Sequence, residues 1–69
     1  MTNPTTLNKS QQREVSRVLA YMPHLGADYA ARALSALYRS AMRASQQREL
    51  EALARELGVT GQRDWVICG

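Results

Sequence analysis

Phenylalanine is absent from this chain, and cysteine, histidine, tryptophan and lysine each occur once. Each scarcity removes a class of explanation. Cys68 has no second cysteine to pair with, so an internal disulfide and the cysteine-based zinc frameworks are excluded. His24 stands alone in a proline-bounded turn, whereas a general base needs a nucleophile or carboxylate held beside it. Asp28 could reach His24 across that turn, but pairs of this kind are usually structural. Cys68 reads as a small apolar side chain rather than a nucleophile, which would want an electropositive setting. The four glycines, Gly26, Gly58, Gly61 and Gly69, are scattered over turns and the chain end and build no phosphate-cradling loop. No catalytic residue, metal-ligand set or cofactor site is therefore expected, and an enzyme acting through His24 is the weakest functional reading.

Long apolar runs are missing too. No segment approaches the 18 or so apolar residues of a membrane span. Met1–Leu7 shows no basic region leading into an apolar stretch, so neither export nor membrane insertion is expected and a cytoplasmic location is. Asn8-Lys9-Ser10 matches a glycosylation sequon, which without a secretion signal is a chance match.

What is present points to a small helical domain. At 69 residues the chain makes one domain, near the lower limit for folding without disulfides, metal or a partner. A partner surface could supply part of its stability. The hydrophobic fraction of 45% is that of a globular protein, and much of it is alanine. The core is thus expected to use Leu and Val, with helices meeting closely at Ala. Net charge is +3, from nine basic residues of which only Lys9 is lysine. Arginine suits bidentate phosphate or carboxylate recognition, yet Arg and Ala also rise together with GC-rich codons. A charge of +3 is mild beside dedicated nucleic-acid binders.

Three helices are legible. Met1–Leu7 is polar, contains Pro4 and is expected to be a flexible lead-in. Asn8 with Gln11 makes a capping-box variant, and Val15, Val18, Leu19 and Met22 follow at helical spacing, giving a first helix over 8–22 that Pro23 should end. Lys9, Arg13 and Arg17 fall on the opposite side. A second helix is expected over 27–43, with Ala30, Leu34, Leu37 and Ala41 inward, Ala33 and Tyr38 flanking, and Asp28, Arg32, Arg39 and Arg43 outward. Its many alanines and position mark it as the central helix. A third is expected over 45–57, capped by Ser45, aided at its positive end by Glu49, striped by Leu50, Leu53, Ala54 and Leu57, and stopped by Gly58. Glu51 and Arg55 form an exposed pair. The fold class is all-α, a three-helix bundle, followed by a short extended C-terminal arm over 59–69. Trp65-Val66-Ile67-Cys68 could be a strand or an irregular arm; a lone strand would lack a ladder partner, so the segment should fold onto the helices or meet another chain.

SQQRE occurs twice, at Ser10–Glu14 and Ser45–Glu49. Aligning the copies sets Val15 on Leu50, Val18 on Leu53, Leu19 on Ala54, Met22 on Leu57 and Pro23 on Gly58. One helix is too short for a solenoid repeat. Duplication and reuse of a good helix start both remain open, and in either case the first and third helices are expected to show similar faces to the second.

These features favour a non-enzymatic protein-interaction module, an adaptor or inhibitor that occupies a partner's surface, the partner being another protein or a second copy of the chain. Boundary aromatics and the apolar arm supply candidate partner-binding residues: Tyr38, Arg39, Arg43, Trp65, Val66 and Ile67. Tyr21 and Tyr29 also flank apolar stripes. The alternative is an arginine-dependent nucleic-acid binder, weakened because each basic row lies opposite an apolar stripe, where solvated charge belongs, and because Glu49, Glu51 and Glu56 make the third helix acidic. Size and Arg/Ala-rich composition fit small accessory proteins of bacteria, their phages or plasmids.

Overall fold

In the computed structural model, which describes residues 5–66, three helices follow one another: α1 Lys9–Leu25, α2 Ala27–Ser40 and α3 Ala44–Glu56. The fold is an all-α three-helix bundle, and no strand occurs among the described residues. α2 is the central helix. α1 and α3 each pack along it and make no close backbone approach to one another. No helix among the described residues is long and apolar enough to cross a membrane.

The helix ends show where local chemistry decides and where it does not. Asn8 caps α1 through the expected reciprocal pair: the Gln11 amide donates to Asn8 Oδ1 at 2.8 Å, and the Asn8 amide donates to Gln11 Oε1 at 2.9 Å. α1 does not stop at Pro23, however; it runs on to Leu25. Proline near a helix end removes one amide donor but leaves the last turn to close, and here the Gly26 amide donates to the Met22 carbonyl at 2.8 Å. The stop belongs to Gly26, whose φ of +92° lies in the left-handed region and which alone separates α1 from α2. A Cβ there would also stand 3.0 Å from Asp28 Oδ1.

α2 ends at Ser40 rather than at Arg43. Ser40 Oγ donates to the Leu37 carbonyl at 3.1 Å, and Ala41 turns extended at ψ 127° with its methyl buried. No breaker residue marks this point. The chain leaves the helix because α3 must return along α2. α3 then begins at Ala44, one residue before the expected start, so Ser45 is not its cap. The capping position falls to Arg43, which makes no side-chain capping bond. At its other end α3 closes as expected: Gly58 at φ +73° carries a Schellman motif, with Gly58 N–H to Arg55 O at 3.1 Å and Val59 N–H to Ala54 O at 3.0 Å. Val59 and Ala54 are both fully buried, supplying the apolar contact that accompanies this motif.

The two SQQRE copies occupy the same register, beginning at the second residue of α1 and of α3. Their fates diverge from there. Gln11 is buried and closes the capping box, whereas Gln46 Nε2 donates to the Thr6 carbonyl. Glu14 pairs with Arg17 at 3.2 Å, whereas Glu49 receives the lead-in. The buried faces differ too. α3 buries Leu50 and Ala54, while their aligned partners are the half-buried Val15 and Leu19, which is 45% exposed. α1 instead buries Val18. The expectation of similar faces fails because α1 and α3 meet α2 on different sides and turn different rows inward.

The core gathers around α2, where Ala30, Ala31, Leu34 and Ser35 are all buried. Ala31 and Ser35 lie outside the stripe expected from sequence, and Leu37 within it is only half-buried. The wider buried face follows from a third layer. After α3 the chain returns through consecutive turns, with Gln62 N–H to Val59 O and Trp65 N–H to Gln62 O, both at 3.0 Å. Trp65 is thereby brought into the core at 3% exposure, its ring edge-on to Tyr38 with centroids 5.9 Å apart. The arm thus folds onto the helices, and of the two forms left open its described part is irregular rather than a strand. Ile67 and Cys68 lie outside the described residues.

The lead-in is tied down from Thr5 onward; residues 1–4 lie outside the described part. Leu7 is buried. The Thr6 amide and hydroxyl donate to Glu49 Oε1 at 2.7 and 2.8 Å, and the Thr5 hydroxyl donates to Glu49 Oε2. Partial burial pushes the Glu49 carboxyl up, but the Thr5 hydroxyl and the Thr6 amide and hydroxyl together outweigh it and hold the group below its ordinary value. These contacts link the lead-in before α1 to α3, and the two helices make no close backbone approach to one another.

Candidate interaction surface

The residues expected to meet a partner separate into two groups. Tyr38 and Trp65 face each other inside the molecule, and Trp65 is unavailable to a partner while the arm is folded. Val66 is half-buried and its amide donates to Ser35 Oγ at 2.8 Å. Ile67 lies outside the described residues. Arg39 and Arg43 are exposed and form no ion pair among the described residues. Among the described residues of this set, Tyr38, Trp65 and Val66 pack inward while Arg39 and Arg43 stay exposed.

A different surface does form at the corner where α1 meets α2. Leu25, Tyr29, Arg32 and Ala33 line a shallow depression on the outer side of α2. Leu25 is 54% exposed, and Tyr21, one turn earlier on the same face of α1, is 49% exposed. Gly26 makes this corner possible, since its positive φ lets α2 begin immediately after Leu25. Arg32 stands at the edge with its Nη2 3.5 Å from Asp28 and its Nε 3.5 Å from Asp64. Asp28 thus turns to Arg32, the expected pair, and His24 sits exposed on the last turn of α1. Tyr29 and Ala33 lie four apart on α2 at the flank of its core stripe, and Leu25 ends α1 beside them across Gly26. Leu25 falls beyond the helix expected over 8–22, so spacing alone does not join it to Tyr21.

The cations are uniformly on the surface. Of nine, Arg17, Arg32 and Arg55 pair with carboxylates, which leaves Lys9, Arg13, Arg39, Arg43, Arg48 and Arg63 without a carboxylate partner among the described residues. The expected Glu51–Arg55 pair is present at 3.2 Å. All of these pairs are solvent-exposed and each contributes at most about 1 kcal/mol. Comparison with models of known protein families, with curated protein sequences and with solved structures yields no match.

Proposed function

We propose that this chain is a non-enzymatic protein-interaction module that acts in the cytoplasm by covering part of a partner protein. The observation that supports this reading is the exposed apolar corner formed by Tyr21, Leu25, Tyr29 and Ala33. In a domain whose other large apolar side chains are mostly folded inward, two half-exposed ones one helical turn apart form a patch of the kind that partners bury. Tyrosine is favoured in such patches because it offers a large rigid surface with a polar tip. The test is a pull-down from the native host with wild type, Leu25→Glu and Met42→Ser, followed by mass spectrometry. Met42 is almost wholly exposed and lies away from the corner, so its variant is the control. A partner kept by wild type and Met42→Ser but lost by Leu25→Glu, with an unchanged helical spectrum, supports the reading. A partner indifferent to Leu25→Glu removes the corner from consideration.

The second reading, arginine-dependent nucleic-acid binding, is favoured by the six cations that lack carboxylate partners. Phosphate contact would make affinity fall steeply with salt. Fluorescence anisotropy with DNA and RNA across a salt series, for wild type and an Arg39→Ala/Arg43→Ala variant, decides it. Absence of salt-sensitive binding in wild type ends this reading.

A further inference from the structure

The apolar corner has a rim of mixed sign. Arg32 lines the depression together with Leu25, Tyr29 and Ala33. Its guanidinium lies between two carboxylates, with Nη2 3.5 Å from Asp28 and Nε 3.5 Å from Asp64. All three charged groups are exposed. The apolar floor is thus edged by two negative charges and one positive one, on a chain whose net charge is +3.

That contrast bears on what can cover the corner. Two copies of a cationic chain repel each other wherever unbalanced cations would meet. Met42, the most exposed of the large apolar side chains, adjoins Arg43, which has no carboxylate partner among the described residues. Leu19 is exposed too, but it stands two residues before Tyr21 and so lies on the opposite side of α1. At the corner, by contrast, Tyr21 and Leu25 are about half exposed beside charges of both signs.

A two-fold contact sets a patch against itself, so every pairing across it occurs twice. A rim of one sign would oppose such a contact. Here Arg32 of one copy can face Asp28 or Asp64 of the other, and reciprocally, while Leu25 and Tyr29 cover their counterparts. Exposed ion pairs are weak and exchange partners readily, so the pairs within one chain do not prevent this.

We propose that the occupant of the corner is a second copy of this chain, docked about a two-fold axis beside Leu25 and Tyr29. The inference rests on the corner being a partner surface and names the partner. The apolar floor is small against the roughly 20–30 residues a side of a stable interface. Self-association is therefore expected at high concentration, with a dissociation constant of about 0.1–1 mM.

The experiment is sedimentation velocity of the full chain from about 10 µM to about 1 mM. Wild type and Met42→Ser should pass from monomer toward dimer, and Leu25→Glu should stay monomeric. Arg32→Glu makes the rim wholly negative, and Asp28→Lys/Asp64→Lys makes it wholly positive. Each alone should stay monomeric, and an equimolar mixture should recover the dimer. Should any variant lose its helical spectrum, wild-type ¹H–¹⁵N spectra over the same concentrations decide instead: shifts confined to residues 21–33 and Asp64 support the contact, and shifts elsewhere or none overturn it. The proposal is also overturned if wild type is monomeric throughout, if folded Leu25→Glu still dimerises, or if the two folded rim variants do not recover the dimer when mixed. A monomeric wild type that captures a different host protein through Leu25 removes the second copy as occupant and leaves the interaction-module reading standing.

Discussion

Ser35 holds the C-terminal arm to α2 through one hydroxyl: its Oγ accepts the Val66 amide proton at 2.8 Å and donates to the Asp64 carbonyl at 3.0 Å. Both backbone groups belong to a segment with no regular structure, so neither has a helix or ladder partner to replace Ser35. The hydroxyl is buried, and beside it Trp65 fills the core against Tyr38. A single small polar side chain on the central helix thus fixes where the arm docks.

Ser35→Ala is expected to lower stability by about 1–3 kcal/mol, the range for leaving buried polar groups unpaired. Trp65 is the only tryptophan, so its emission reports the arm directly. Chemical denaturation should show the lower midpoint, and emission should move to the red. If both stay at wild-type values, the hydroxyl does not hold the arm.

The Trp65 indole N–H is buried with no hydrogen-bond partner among the described residues. Its desolvation offsets part of what the ring's burial contributes. Trp65→Ala should cost about 3–5 kcal/mol through lost packing, whereas Trp65→Phe, which removes the unpaired donor and keeps a ring, should cost less than about 2 kcal/mol. Equal losses in thermal melts would show that the N–H carries no penalty.

The positions aligned by the SQQRE repeat should respond unequally. Leu50→Ala empties a fully buried site and should cost about 2–5 kcal/mol. Leu19→Ala, at a half-exposed site, should cost no more than about 1 kcal/mol. Ala54→Leu, which imposes on α3 the residue α1 carries at the aligned position, should destabilise by about 1–3 kcal/mol through overpacking. Matching responses at Leu19 and position 54 would restore the equivalence of the two helices.

Glu49 predicts a pH dependence. Its folded-state value lies below the unfolded one, so its carboxylate form stabilises the fold above the ordinary glutamate value of about 4.3. That contribution is lost as pH falls through the lower, folded value, because the protonated acid accepts more weakly from Thr5 and Thr6. Denaturation midpoints from pH 6 down to about 3 should therefore decline, and Glu49→Gln should flatten that part of the decline. The Thr6 amide resonance should move over the same window. A resonance that moves only near the unfolded value would contradict the lowered group.

Much of this fold was legible because its signals are local. The Asn8–Gln11 box, the Gly58 stop and the apolar stripes of α1 and α3 are written within four or five residues of where they act, and hydrogen bonding of adjacent backbone enforces them. The residue spacing also gave the exposed Asp28–Arg32 and Glu51–Arg55 pairs, since neighbours on a helix surface follow from its period alone.

What the tertiary structure decided are matters of distance along the chain. α2 stops at Ser40 among good helix formers because α3 has to come back along it. Ser45 lost its capping role, and Glu49 was drawn to Thr5 and Thr6 some 43 residues earlier. Ser35 became core because an arm from about 30 residues later lay across it. The sequence by itself determined the three helices, the starts of α1 and α2 and the stop of α3, through signals that act on adjacent backbone. Which faces those helices buried depended on how the segments met in space, since a buried face exists only once something covers it.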